Sequence, residues 1–155
     1  MIKILQNKIK TFSLPLQKND MEINLIWDGG MKFHSLINGH TVIVDADETV
    51  GGSDQGPRPK PLMLVALAGC TGMDVVSLLK KMKVNYDSLQ INIMAELTEE
   101  HPKIFKNVHI VYEFSGQDID KDKVKKAVDL SQEKYCGVSA MFRHFARLTY
   151  EIRYL

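Results

Sequence analysis

Two cysteines, Cys70 and Cys136, are the residues of this chain best suited to covalent chemistry. A thiol reacts as its thiolate, and an ordinary one, with a pKa of about 8.5, is mostly protonated at neutral pH. Helix N-termini and neighbouring cations move it toward the reactive form. Cys136 falls where one expected helix ends and another begins, and Gly137 after it permits a sharp change of direction. Its sulfur can therefore face the free N–H groups that open the second helix. Cys70 lies inside a long apolar segment between Gly69 and Gly72, which leave room beside it for a partner or a ligand. Asp74, four residues on, shares its helical face. A carboxylate there does not favour thiolate by charge, but it can orient a water or another side chain. Against a reactive role stands the tendency of free cysteine to be buried as a small hydrophobe. Taken by itself, the local spacing favours two structural cysteines.

Other groups carry less. Neither cysteine belongs to a C-x-x-C pair, and the five histidines (34, 40, 101, 109 and 144) show no H-x-x-x-H or H-E-x-x-H spacing, so no metal is expected. The Gly51-Gly52 loop lacks the Lys-Ser/Thr ending and the strand–helix context of a phosphate cradle, reads as flexible, and gives no reason to expect a cofactor. The basic run Lys121–Lys126, interrupted by Asp122, reads as a solvated helix face. Trp27, Phe33, Phe105 and Phe114 fall on alternating strands and read as core.

The elements that must position these residues follow from hydrophobic period and turn signals. Glu22–Trp27, Lys32–Ile37 and His40–Ala46 are β-rich runs separated by Asp28-Gly29-Gly30 and Asn38-Gly39, which predicts three antiparallel strands joined by tight turns. Asp47–Pro61 is a Gly/Pro-rich loop. Pro61 suits the first turn of a helix that runs to about Lys83, apolar on every side in its first half and closed by Lys80, Lys81 and Lys83. Leu89–Leu97 and Val108–Phe114 are strands joined around His101-Pro102. Asp120–Tyr135 is an amphipathic helix with Val124, Ala127, Val128, Ser131 and Tyr135 on one face. A short helix over Val138–Phe145 and a last strand over Leu148–Tyr154 complete an α+β order. Residues 1–20 read as an N-terminal arm with weak alternation, and 21–155 as one domain.

Composition agrees with this. The chain has 155 residues, 45% apolar and 25% charged, the balance of one globular domain with a single core. Twenty basic against nineteen acidic side chains leave a net charge of +1, which argues against a phosphate-neutralising surface for nucleic acid. Leu62–Leu79 is the one serious membrane candidate, but Asp74 interrupts it, so it reads as a buried core helix. Lysines scattered through the first eighteen residues leave no continuous apolar leader. Two cysteines are too few for a disulfide framework and suit a cytoplasmic protein.

Two stretches resemble a known family. Gly56-Pro-Arg-Pro-Lys-Pro-Leu-Met-Leu-Val-Ala-Leu-Ala-Gly-Cys70-Thr-Gly-Met-Asp-Val-Val is similar to the central helix of the OsmC/Ohr family with its first cysteine. Ala127-Val-Asp-Leu-Ser-Gln-Glu-Lys-Tyr-Cys136-Gly-Val-Ser resembles the segment that carries the second. The hairpin Trp27-x-Gly-Gly-x-x-Phe33 and the strand Ile104-Phe-Lys-Asn-Val-His-Ile are similar to the YhfA-like subgroup. This resemblance implies an intertwined homodimer in which an antiparallel sheet wraps a long central helix, with sites at the subunit interface. It further implies thiol-dependent reduction of organic hydroperoxides: Cys70 is the peroxidatic residue, Cys136 resolves it, and a thiol or dithiol reductant restores the pair.

The sequence departs from that family where activation is concerned. Active members hold the thiolate with an Arg from the early hairpin, itself held by a Glu before the central helix. Here Met31 and Lys32 follow Gly29-Gly30, no Arg precedes Arg58, and Lys60 or Pro61 stands at the Glu position. The positive charge then has to come from Arg58, Lys60 or Lys32, with Arg58 the choice as third site residue. Asp47 and Glu48 are the acidic candidates. Lys is a point charge and does not replace the Arg fork. Two alternatives therefore stand beside a peroxidase: a small-ligand-binding relative with an apolar interface pocket, and a structural relative with no activity.

Overall fold

The structure, a computed structural model, describes residues 20–155, so the arm expected over residues 1–20 lies, apart from Asp20, outside the described residues. It divides into two compact units, one ending at Pro57 and one spanning Arg58–Leu155.

In the first unit, β1 (Ile26–Trp27), β2 (Phe33–Ile37) and β3 (His40–Val44) form an antiparallel sheet in that order. The β2–β3 turn is built on Asn38 and Gly39, both at positive φ (50° and 83°), the conformation a two-residue hairpin loop requires. β1 is far shorter than Glu22–Trp27, because only Ile26 and Trp27 find partners on β2. Trp27 is exposed rather than core, its indole N–H donating to Gly30 O at 3.0 Å.

The loop after β3 is not slack. The buried Asp45 carboxylate accepts the N–H groups of Ala46 (2.8 Å), Ser53 (3.1 Å) and Gln55 (3.1 Å), folding the loop back on its own start. Gly52 is required there, since a Cβ on it would lie 2.0 Å from Ala46 O. A short 3₁₀ turn, Glu48–Val50, is capped by Asp47.

The second unit is a three-stranded sheet, β4 (Ser88–Leu97), β5 (Phe105–Ser115) and β6 (Arg147–Tyr154), with β5 central. β4 runs antiparallel to β5 and the connection between them includes a cis His101–Pro102 bond. β6 runs parallel to β5, so the sheet is mixed where antiparallel strands were expected. A parallel neighbour needs a long crossover, supplied here by α2 (Lys121–Leu130) and α3 (Gly137–Arg143). One face of β5, Val108, Ile110, Tyr112 and Phe114, packs with Val124, Ala127 and Val128 of α2, Phe142 of α3 and Leu67, Val75 and Leu79 of the long helix α1 (Pro59–Lys81).

Helix α1 opens with prolines in its first turn and ends with Lys80 and Lys81, which suit its negative end. It is long and apolar enough, by length and composition, to cross a bilayer. Its Leu67–Thr71–Val75–Leu79 stripe, at four-residue spacing, nevertheless belongs to the core. The helix is enclosed on that face alone: Met63, Val65, Met73 and Val76 are exposed in the single chain, although an apolar surface all round had predicted enclosure on all sides.

Candidate functional site

Cys70 occupies the middle of α1, one position before the buried Thr71 and four before Asp74. Cys136 arrives from another direction. The helix begun at Asp120, whose carboxylate caps Lys123 N–H at 3.1 Å, does not continue unchanged to Tyr135. From Ser131 to Tyr135 it widens into a π turn, closed by the N–H of Cys136 on Ser131 O at 2.8 Å. This widening rotates Ser131 and Gln132 into the interior and leaves Tyr135 half exposed, off the buried face the helical period had assigned it. At Cys136 the backbone turns extended and α3 begins.

The two sulfurs meet. Cys70 Sγ, Cys136 Sγ and a carboxylate oxygen of Asp74 all lie within 4.8 Å of one another. Cys70 is half-buried, and Cys136 is 3% exposed. Cys136 is also the N-cap of α3, its sulfur accepting the Ser139 N–H at 3.3 Å. Burial pushes the Cys136 thiol above its ordinary value; Ser139 pulls it the other way, and the neighbouring Cys70 thiol pushes it up further. The Ser139 hydroxyl, fully buried, makes no hydrogen bond among the described residues.

Beside the thiols runs a buried polar network that sequence reasoning missed. Thr71 Oγ1 lies 2.9 Å from Ser131 Oγ and 2.5 Å from Tyr112 OH. The Gln132 side-chain amide donates to Tyr112 OH at 2.7 Å and to Thr71 Oγ1 at 3.1 Å. Arg143 closes it, donating to Gln132 O at 2.7 Å and Gln132 Oε1 at 2.8 Å. At the other end Ser131 Oγ donates to Asp74 Oδ2 at 3.1 Å. Burial raises the Tyr112 phenol above its usual pKa, so it stays protonated within this network. The available signal was Ser131 and Gln132 following the apolar face of a helix, since polar residues there must find partners inside.

The remaining site residues fall elsewhere. Arg58 is the N-cap of α1, twelve residues before Cys70. At 1.5 Å per residue the helix separates them by roughly 18 Å, beyond the reach of an Arg side chain, so the Arg58 guanidinium is not brought to its own chain's thiols. The same rise, roughly 15 Å, separates Lys60. Lys32 belongs to the first unit, where it donates to Gln55 Oε1 at 3.0 Å. Asp47 and Glu48 form the 3₁₀ turn of that unit.

The two glycines flanking Cys70 differ. A Cβ on Gly72 would lie 2.9 Å from Ile91 Cδ1, so Gly72 lets α1 approach β4. A Cβ on Gly69 would meet nothing within 4 Å. Both line an open apolar groove of about 660 Å³ with Met73, Val76, Leu89 and Ile91.

A mixed sheet beneath a long helix, with one cysteine at mid-helix and the second capping a short helix behind a π turn, defines an α+β fold. The OsmC-like protein family matches residues 52–151, and the chain belongs to that family. It is 30% identical to the protein YhfA of Escherichia coli K12 over 131 residues, covering 84% of this chain and 95% of that one. A solved hypothetical protein of Aquifex aeolicus is 28% identical with a TM-score of 0.72, covering 86% of this chain and 96% of the other. The organic hydroperoxide resistance protein OhrB of Bacillus subtilis, 18% identical over 86% of this chain and 98% of its own, shares the fold with a TM-score of 0.56.

Proposed function

We propose that the chain reduces organic hydroperoxides through Cys70 and Cys136. The observation that carries this is their sulfurs lying, with Asp74, within 4.8 Å of one another. The exposure difference supports the division of roles: half-buried Cys70 meets the peroxide, while buried Cys136, its thiol held protonated by its surroundings, waits. The Cys70 thiolate attacks one peroxide oxygen. The O–O bond breaks, the departing alkoxide takes a proton to become an alcohol, and Cys70 becomes a sulfenic acid. The Cys136 sulfur then attacks the Cys70 sulfur and expels water, leaving a disulfide whose S–S bond is about 2.05 Å, so the pair must close on reaction. A dithiol returns two electrons and two protons by exchange. Turnover of cumene hydroperoxide with a dithiol, lost in Cys70→Ser, tests this; no turnover with several hydroperoxides and dithiols refutes it.

The working unit in this reading is a cytoplasmic homodimer. Its support is the apolar surface α1 leaves open, Met63, Val65, Met73 and Val76, together with Trp27, Met31 and Leu36 exposed in the first unit. Exposed apolar side chains in this number on each unit suit burial against a second copy of the chain.

A second reading is a small-ligand-binding protein on the same scaffold. It is favoured by the apolar groove past Gly69 and by Arg143 being directed at Gln132, with Arg58 and Lys60 remote from the thiols of their own chain. It predicts saturable binding of an apolar molecule with little peroxide consumption.

A further inference from the structure

We propose that Cys70, Cys136 and Asp74 form a three-ligand site for a soft divalent cation of the zinc class, with the fourth position open to a water or a small thiol. The donor set is two sulfurs and one carboxylate oxygen, all within 4.8 Å. Tetrahedral zinc holds sulfur at about 2.3 Å and carboxylate oxygen at about 2.0–2.2 Å, which places such ligand atoms roughly 3.5–3.8 Å apart. Side-chain rotation closes that difference. Thiolates select zinc, cadmium or cobalt over magnesium or calcium, which take oxygen.

Two features beyond the ligands fit a bound cation. Ser131 Oγ fixes the Asp74 carboxylate by a 3.1 Å hydrogen bond, the kind of outer partner that orients a ligating group. Ser139 sets its N–H on Cys136 Sγ at 3.3 Å, and its fully buried hydroxyl is a donor without a partner among the described residues. A metal thiolate, with more negative charge on sulfur than a thiol carries, strengthens the acceptor that the Ser139 N–H already uses. No spacing rule finds this set, because its ligands come from mid-α1 and from the cap of α3.

Binding is written M²⁺ + 2 RSH → M(SR)₂ + 2 H⁺, with the Asp74 carboxylate as the third ligand, and needs no oxidant. Bound metal occupies both sulfurs, so the loaded chain is protected from peroxide and alkylating reagents. The inference uses the same thiols as the peroxidase reading but does not depend on turnover.

The test is titration of the reduced full chain with Co²⁺ and with Zn²⁺ in the absence of oxygen. One equivalent of Co²⁺ should give a thiolate-to-metal charge-transfer band, and Zn²⁺ should displace it. Asp74→Asn, close to isosteric, should weaken affinity on the order of 10–100-fold, and Cys70→Ser or Cys136→Ser by more. Should a cysteine variant fail to fold, zinc protection of both thiols in the unmodified chain gives the same reading by mass spectrometry. No charge-transfer band, unchanged affinity in Asp74→Asn, or equal alkylation with and without zinc overturns the site. These readouts do not involve peroxide, so a chain that binds zinc and turns over nothing refutes only the peroxidase reading.

Discussion

Ser131 Oγ donates to Asp74 Oδ2 at 3.1 Å, tying the π turn that leads to one cysteine to the helix that carries the other. Because the same hydroxyl lies 2.9 Å from Thr71 Oγ1, the position of Cys136 relative to Cys70 is set by a hydrogen-bonded clamp as well as by apolar packing. Four elements meet in it: α1 through Thr71, β5 through Tyr112, the π turn through Ser131 and Gln132, and α3 through Arg143.

Weakening that clamp should be costly. Tyr112→Phe removes one partner each from Gln132 Nε2 and Thr71 Oγ1, which keep each other, and losing a buried hydrogen bond is destabilising by about 0.5–1.5 kcal/mol. Urea unfolding should show a lower midpoint with an unchanged slope. An unaltered midpoint would mean the network relaxes without loss.

The thiol roles separate by variant. Cys70→Ser should abolish hydroperoxide consumption, whereas Cys136→Ser should leave one round of attack and a sulfenic acid on Cys70 that a dimedone adduct reveals. A dimedone adduct on Cys136 in Cys70→Ser, with none on Cys70 in Cys136→Ser, would reverse the assignment.

Two glycine substitutions should differ sharply in cost. Gly52→Ala puts a Cβ 2.0 Å from a backbone oxygen that cannot step aside, so a loss above about 2 kcal/mol is expected. Gly72→Ala meets the flexible end of Ile91, and the helix propensity of Ala, about 1 kcal/mol better than Gly, offsets the strain. Its melting temperature should stay near that of the unaltered chain. Equal losses for both would show that the loop after β3 is less constrained than its geometry states.

Acid should expose the role of Asp45. The N–H of Gln55, with those of Ala46 and Ser53 and the nearby Lys32 charge, holds its carboxyl below the ordinary carboxylate value against the opposing effect of burial. A carboxyl lowered in the folded state contributes stability above its unfolded pKa of about 3.9, and that contribution is lost as pH falls through the folded value. Between pH 5 and acid, about pH 3, the urea midpoint should therefore fall more steeply for the unaltered chain than for Asp45→Asn. Parallel pH profiles would contradict it.

Much of this architecture was legible in the sequence. Asn38-Gly39 marked the β2–β3 turn, and alternation marked β4 and β5. The apolar run marked α1, and Asp120 marked the start of α2. The parallel pairing of β6 was not legible, because strand direction there is set by packing across the whole α2–α3 crossover and by no local turn. Nor was the π turn: its one extra residue per turn leaves no mark on the helical period until Tyr135 points outward. As for the site, spacing alone favoured inert thiols, and the meeting of Cys70 with Cys136 followed only from family likeness. The charge of Arg58 is legible in the sequence, but the roughly 18 Å of helix between it and Cys70 depends on where α1 begins.

The most direct test is one equivalent of an organic hydroperoxide added to the reduced chain, followed by free-thiol counting and peptide mass mapping. The thiol-pair account predicts that both thiols of a chain vanish together, with Cys70 and Cys136 joined in one disulfide and two hydrogens lost from the intact mass. Two free thiols persisting in excess peroxide, or a disulfide joining different chains, would contradict it.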